Sequence, residues 1–274
     1  MVDAANHHSP IRPAAVAGAF YPAEADVLRQ QVTAYIDQAR TPDLPGRVHA
    51  VVVPHAGYVY SGPIAGCGYR TLRSLAVQSR TVLLMGPAHR VPVSGIAVGD
   101  FAAFRTPLGV ATVEQQIVAR LTRAAPWFGA DRYAHLPEHS LEVQVPFLQV
   151  LWGDAFSLAP LLCGRADPEA IAAILLDIVV ADPEIVTVVS SDLSHYHPYE
   201  TARRLDQEML AAIERDDPAA VAEGEACGVI PILILMAMAR ELRWKAHILD
   251  SRSSGDTAGD RERVVGYAAI AYTD

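Results

Sequence analysis

The chain has 274 residues, 51% of them hydrophobic, with a formal net charge of −9 and a pI near 5.5. So large an apolar share supplies a substantial core and argues against disorder, and the acidic balance excludes a nucleic-acid surface, which needs clustered Lys and Arg. The longest apolar stretch, Gly228 to Ala239, contains Pro231 and falls short of the roughly 18 residues that a membrane helix requires. The opening residues MVDAANHHSP carry neither a charged n-region nor an apolar h-region, so no signal peptide is expected, and His7 and His8 read as a solvated pair. Three widely spaced cysteines, Cys67, Cys163 and Cys227, suit a reduced interior rather than a disulfide framework. Together these features place the chain in the cytoplasm.

In chain order, hydrophobic periodicity predicts a helix over Glu24 to Ala39, a buried strand over Val48 to Pro54 and a helix over Pro63 to Leu75. Strands follow at Thr81 to Met85 and Gly95 to Val98, then helices at Val113 to Arg123 and His139 to Leu151. A strand at Phe156 to Leu161, a helix at Pro168 to Val180, a strand at Ile185 to Ser190 and a helix at Glu200 to Arg215 continue the alternation. The helix Ile230 to Leu242, a strand at Ala246 to Leu249 and a last strand at Val264 to Tyr272 complete it. Ser253 to Arg263 (SSGDTAGDRER) is polar and reads as a mobile loop without a phosphate-binding fingerprint. Such alternation predicts one α/β domain over residues 1–274, a three-layer α/β/α sandwich around a largely parallel sheet. No repeat or low-complexity linker divides it.

Three of the predicted strands end in short turns that contain histidine: VVVPHAGYVYSG, LLMGPAHR and VVSSDLSHYH. Ligands gather outside the carboxyl ends of parallel strands, where loops from separate strands meet. His55, His89 and His195 are therefore placed to converge. A single histidine after a strand is ordinarily a hydrogen-bonded structural residue; three in equivalent places shift the balance toward a site. Asp192 lies three residues before His195, where one turn brings a carboxylate beside the imidazole. The competing role for Asp192 is a helix cap after Ser190 and Ser191.

Cys227 stands in EACGVIPILIL, directly before an apolar helix whose N-terminus favours thiolate, the ligand form. Burial as a small apolar residue is the ordinary fate of a cysteine, and Cys67 and Cys163 receive that reading. In PEHSLEVQVPFLQ, a helix would set His139 and Glu142 on one face and Leu141, Val145 and Leu148 on a core stripe. Glu138 and His139 then read as pocket wall or as support for ligands. Two histidines and one anionic residue leave open metal positions, as non-haem iron sites require, and a thiolate donor widens the choice to Fe(II), Cu or Zn.

Across nearly the whole chain the sequence resembles the Memo family, whose bacterial and archaeal members are called AmmeMemoRadiSam system protein B. The resemblance is carried by RPAAVAGAFYP, PHAGYVYSG, GPAHRVP, FRTPLG, EHSLEVQVPFLQ, SSDLSHY, CGVIPI and VGYAA, in that order and spacing. It implies a fold similar to the class III (LigB-type) extradiol dioxygenases, with cysteine in place of the carboxylate ligand. It also implies metal ligands at His55, His89 and Cys227, and an acid/base histidine at His195 with Asp192 beside it. Iron or copper and metal-dependent redox activity are what such a likeness leads one to expect. Arg90 follows His89 where a second histidine often stands, and Val229 follows Cys227-Gly228 where arginine is frequent, so pocket charge differs from animal members.

The leading functional expectation is thus a metal-dependent redox enzyme in which His195 moves protons and Cys227 tunes the metal. A second is a binding module or scaffold using the same cleft, with AMMECR-type and radical-SAM proteins as partners. Ring cleavage of catechols is the third, and the cysteine argues against it.

Overall fold

The computed structural model describes residues 10–75 and 80–274; His7 and His8 lie outside them. The β-branched runs form the centre of a twelve-stranded sheet. Five strands lie parallel in the spatial order Gly109–Val113, Phe156–Cys163, Arg80–Pro87, Val186–Ser190 and Val48–Val53. Val264–Thr273 then joins antiparallel to Val48–Val53, and Lys245–Ser253 antiparallel to Val264–Thr273, which makes the sheet mixed. Register brings Val53 level with Ser190 and Met85 level with Val189, so these three strands finish side by side. Their near-continuous apolar sequence follows from burial on both faces.

Helices flank the sheet in two groups. Ala25–Gln38, Tyr58–Leu72 and Val145–Trp152 pack together, and Pro168–Ala181 packs on Val229–Leu242 in the other group. The expected α/β/α sandwich is therefore the architecture. No helix among the described residues is long and apolar enough to cross a membrane.

Two helices depart from the expected bounds for physical reasons. The one expected from Pro63 starts at Tyr58, with Pro63 inside it, because Tyr58 is buried and anchored by its N–H to Phe20 O (2.8 Å) and by its hydroxyl to Val143 O. The expected helix His139 to Leu151 is broken: a 3-10 turn occupies Glu142–Gln144 and the α-helix runs over Val145–Trp152. Pro146 lacks an N–H and is best accommodated in a first turn, so this helix begins beside it and releases Glu138 to Leu141 from helical geometry. The segment read as a mobile loop contains a helical turn, Ser254–Thr257, closed by a capping box between Ser253 and Asp256. Short strands at Ile11–Arg12, Ala103–Thr106, Phe128–Ala130 and His195–His197 were not apparent from periodicity.

Candidate metal centre

Because Val53 and Ser190 are register partners, His55 and Asp192 each lie two residues beyond their strands and meet. The His55 N–H donates to Asp192 Oδ1 at 2.7 Å. The His55 ring is buried, and its Nδ1 lies 2.9 Å from Ser190 Oγ. That hydroxyl gives its own proton to Ser140 O (2.6 Å) and accepts from Gln144 Nε2 (2.7 Å), so it meets Nδ1 as an acceptor. Nδ1 therefore carries the proton, and Nε2 offers its lone pair toward Cys227 Sγ at 3.2 Å. Burial, with the charge of Asp192 only partly opposing it, lowers the His55 pKa to about 4, so the ring is neutral at pH 7.

His89 follows the Arg80–Pro87 strand and sits on the buried carboxylate of Glu138. Its backbone N–H donates to Glu138 Oε2, and its Nδ1 lies 3.1 Å from Oε1, which leaves Nε2 free. Glu138 also accepts from the N–H groups of Arg90 (3.2 Å), His139 (2.8 Å) and Ser140 (3.0 Å). Burial works to raise its pKa, but the His139 and His89 rings and these N–H groups outweigh it and hold the carboxyl well below the usual carboxylate range. Gly86 allows the loop to come this close: a Cβ there would lie 2.9 Å from Leu141 Cδ2 and 3.1 Å from Ser140 Oγ.

Cys227 reaches the same place from the start of the Val229–Leu242 helix. A Cβ at Gly228 would fall 2.6 Å from Ser191 Oγ, so glycine admits the close approach of the two segments. Asp192 N–H donates to Cys227 Sγ (3.2 Å), and Cys227 N–H donates to Asp192 O (3.2 Å). Burial, reinforced by the Asp192 charge, raises the thiol pKa far above its ordinary value, so the sulfur carries its proton without a metal. One donor atom each from His55, His89 and Cys227 lie within 4.8 Å of one another.

His139, freed by the broken helix, joins this group. Its ring centroid lies 4.9 Å from that of His89 and 5.5 Å from that of His55. Its Nδ1 is 3.1 Å from Glu138 Oε1 but misaligned for a hydrogen bond. His89, Glu138 and His139 also bring one donor atom each within 4.8 Å of one another. The expectation that His139 and Glu142 share a helical face is overturned. Glu142 instead points away to Arg12 Nη1 (2.6 Å), Tyr21 OH (2.6 Å) and the N–H groups of Ala15 and Val16.

His55, His89, His139, Asp192 and His195 line one cavity of about 610 Å³. His195 thus shares the space of His55 and His89, while Asp192 accepts from the His55 N–H and caps no helix. Beside the His195 turn, Asp206, buried on the Tyr199–Glu214 helix, accepts from Ser194 N–H at 3.0 Å. Tyr196 and Arg263 complete the outer wall, with the guanidinium 5.3 Å from the ring centroid. Ser254, Gly259 and Asp260, from the segment read only as a loop, line it too. A polar segment next to a strand that ends at the site was the available signal for them. Cys67 and Cys163 lie elsewhere, buried, with thiols pushed up by desolvation to about 11 and about 12.

A family model described as Memo-like protein matches residues 12–271. A MEMO1 family protein of Sulfolobus acidocaldarius is 34% identical over 96% of this chain and 100% of its own length. One from Saccharolobus solfataricus is 33% identical over 94% of this chain and 98% of its own. A crystal structure of an uncharacterized Escherichia coli K12 protein, 15% identical, overlays with a TM-score of 0.54, covering 82% of this chain and 99% of that one; this likeness concerns the fold alone. With the match running from Arg12 to Ala271, the chain belongs to the Memo family.

Proposed function

We propose that this chain is a metal-dependent redox protein that holds iron or copper through His55, His89 and Cys227. The observation that carries the proposal is the meeting of these three donors, drawn from three separate strand or helix ends, within 4.8 Å of one another. The donor chemistry fits such an ion. Both imidazoles have Nδ1 tied to a protein acceptor, His55 turns its Nε2 to the Cys227 sulfur, and a backbone N–H already aims at that sulfur. Two imidazoles and one thiolate suit Fe(II), Cu or Zn, and the soft sulfur favours the redox-active members over Mg or Ca. When bound, the metal supplies Lewis acidity and electron transfer to a small oxidant.

The chain's own residues do the rest. Glu138 fixes the His89 ring, and Ser190 fixes the His55 ring. Asp192 fixes the backbone on which His55 stands, and the cavity admits a small molecule to the open side. His195, in the same cavity but outside the three-donor group, is assigned proton transfer.

The test is metal analysis of untagged protein prepared without oxygen, followed by oxygen-uptake assays. His55→Ala and Cys227→Ala should each weaken metal binding by more than about 100-fold, beyond the range typical of supporting residues. His195→Ala should retain the metal while any turnover falls by roughly 10²–10⁴-fold. Loss of metal in His195→Ala as complete as in Cys227→Ala would overturn its assigned role. Tight metal binding with no redox turnover would favour the scaffold function instead.

A further inference from the structure

Residues 138–144 supply none of the three donors His55, His89 and Cys227, yet they reach the ends of all three central strands. At the end of Arg80–Pro87, Ser140 Oγ donates to Pro87 O (2.8 Å) and Glu138 holds the His89 ring. Just beyond Val48–Val53, Gln144 Nε2 donates to Pro54 O at 2.9 Å. At the end of Val186–Ser190, Gln144 Nε2 and Ser140 O both engage Ser190 Oγ, at 2.7 Å and 2.6 Å. Ser140, Gln144 and Ser190 are fully buried, so water cannot substitute for any of these bonds.

The direction of each bond is forced. A peptide carbonyl only accepts, so Pro54 O turns the amide nitrogen of Gln144 toward itself and leaves Oε1 to the Tyr69 hydroxyl (2.9 Å). The same nitrogen occupies one lone pair of Ser190 Oγ, and Ser140 O takes the one proton that this hydroxyl owns. A single lone pair is left, facing His55 Nδ1 at 2.9 Å. Ser140 has a second attachment: its N–H donates to Glu138 Oε1 (3.0 Å), the oxygen that lies 3.1 Å from His89 Nδ1. One residue therefore stands behind both imidazoles, along the path His55, Ser190, Ser140, Glu138, His89.

We infer that residues 138–144 form a brace that sets both imidazoles in their ligating orientation before any metal arrives, with Ser140, Gln144 and Ser190 as positioning residues. The inference rests on the ligand set His55, His89 and Cys227 and adds a mutual dependence to it: loosening the support of one histidine loosens that of the other. Buried donors and acceptors that must be satisfied together couple in this way, and donors already in place lose little freedom on binding.

Nitrogen NMR of the histidine rings in the metal-free full chain at pH 7, with His55 assigned by its loss in His55→Gln, tests the first half. Wild type should carry the His55 proton on Nδ1. Ser190→Ala should release the ring to a mixture of both tautomers, a change that a merely weakened fold does not produce. Zinc(II), a redox-inert probe, tests the second half by competition with a chromophoric chelator. Ser190→Ala and Glu138→Gln should each weaken zinc binding by about 10–100-fold. The double variant should fall short of the product of the two losses by roughly fivefold or more, as coupled neighbours do. A wild-type proton on His55 Nε2, an unchanged tautomer in Ser190→Ala, or losses that simply multiply would each overturn the brace. Wild type that binds no zinc would overturn the ligand set and the brace with it. Zinc binding and coupling as expected, in a chain without redox turnover, would uphold the brace and overturn only the redox role.

Discussion

Glu138 and Glu142 stand four residues apart and are both buried, yet they serve different regions. Glu142 faces inward and is satisfied by Arg12, Tyr21 and two backbone N–H groups, none of which lines the metal cavity. Arg12 in turn donates from Nε to His135 O (2.7 Å) and from Nη2 to Glu138 O, so the knot clamps the loop from behind. Glu138 faces outward and holds the His89 imidazole, which keeps its second nitrogen free. A buried carboxylate whose partners are all closed builds structure. One whose partner has an open donor atom builds a site.

Removing the inner partner should have the largest effect. Arg12→Met leaves Glu142 without its cation, and breaking a buried pair in this way costs about 3–5 kcal/mol of stability. Urea denaturation should show this as a lower midpoint with an unchanged slope. If the cost were under about 1 kcal/mol, the knot would be no anchor. The outer partner should behave otherwise. Glu138→Gln keeps the side chain's shape but weakens its hold on His89, and loss of such support lowers metal affinity by about 10–100-fold. Competitive metal loading reads that loss, and an unchanged affinity would remove Glu138 from the site.

Acid should sharpen the same contrast through His135, whose carbonyl receives Arg12. Its ring is buried with Nε2 2.9 Å from Ala97 O, and desolvation lowers its pKa from 6.5 to about 4. The unfolded chain takes up this proton near pH 6.5 and the folded one only near about 4. Stability is therefore complete above pH 6.5 and is lost as pH falls through that window, by about 2 kcal/mol at pH 5 from linkage. His135→Gln should flatten the dependence of the urea midpoint between pH 7 and pH 5. An equally steep slope in the variant would assign the proton uptake elsewhere, with His55 the first alternative.

Much of this was legible in particular residues. Val48–Val53, Arg80–Pro87 and Val186–Ser190 announce themselves as β-branched runs, and the histidines just beyond the first two fall at one edge because parallel strands end together. His139 lines the pocket as its neighbours suggest, but not from a helix: apolar periodicity continues smoothly through Pro146, while the missing N–H of that proline divides the helix. Local spacing pairs Asp192 with His195, but its oxygen finds the N–H of a residue 137 positions away.

What the sequence determined by itself is the layer architecture and the short segments that carry the chemistry, since periodicity and turn residues act over a few positions. What only the tertiary structure decided is who meets whom. The tautomer of His55 depends on a serine hydroxyl already committed to Ser140 O, and the Glu138 carboxylate divides its oxygens between His89 and its own loop. Such contacts are set by strand register and by competition among buried donors and acceptors, each of which must be satisfied at once. No local stretch of sequence contains that condition.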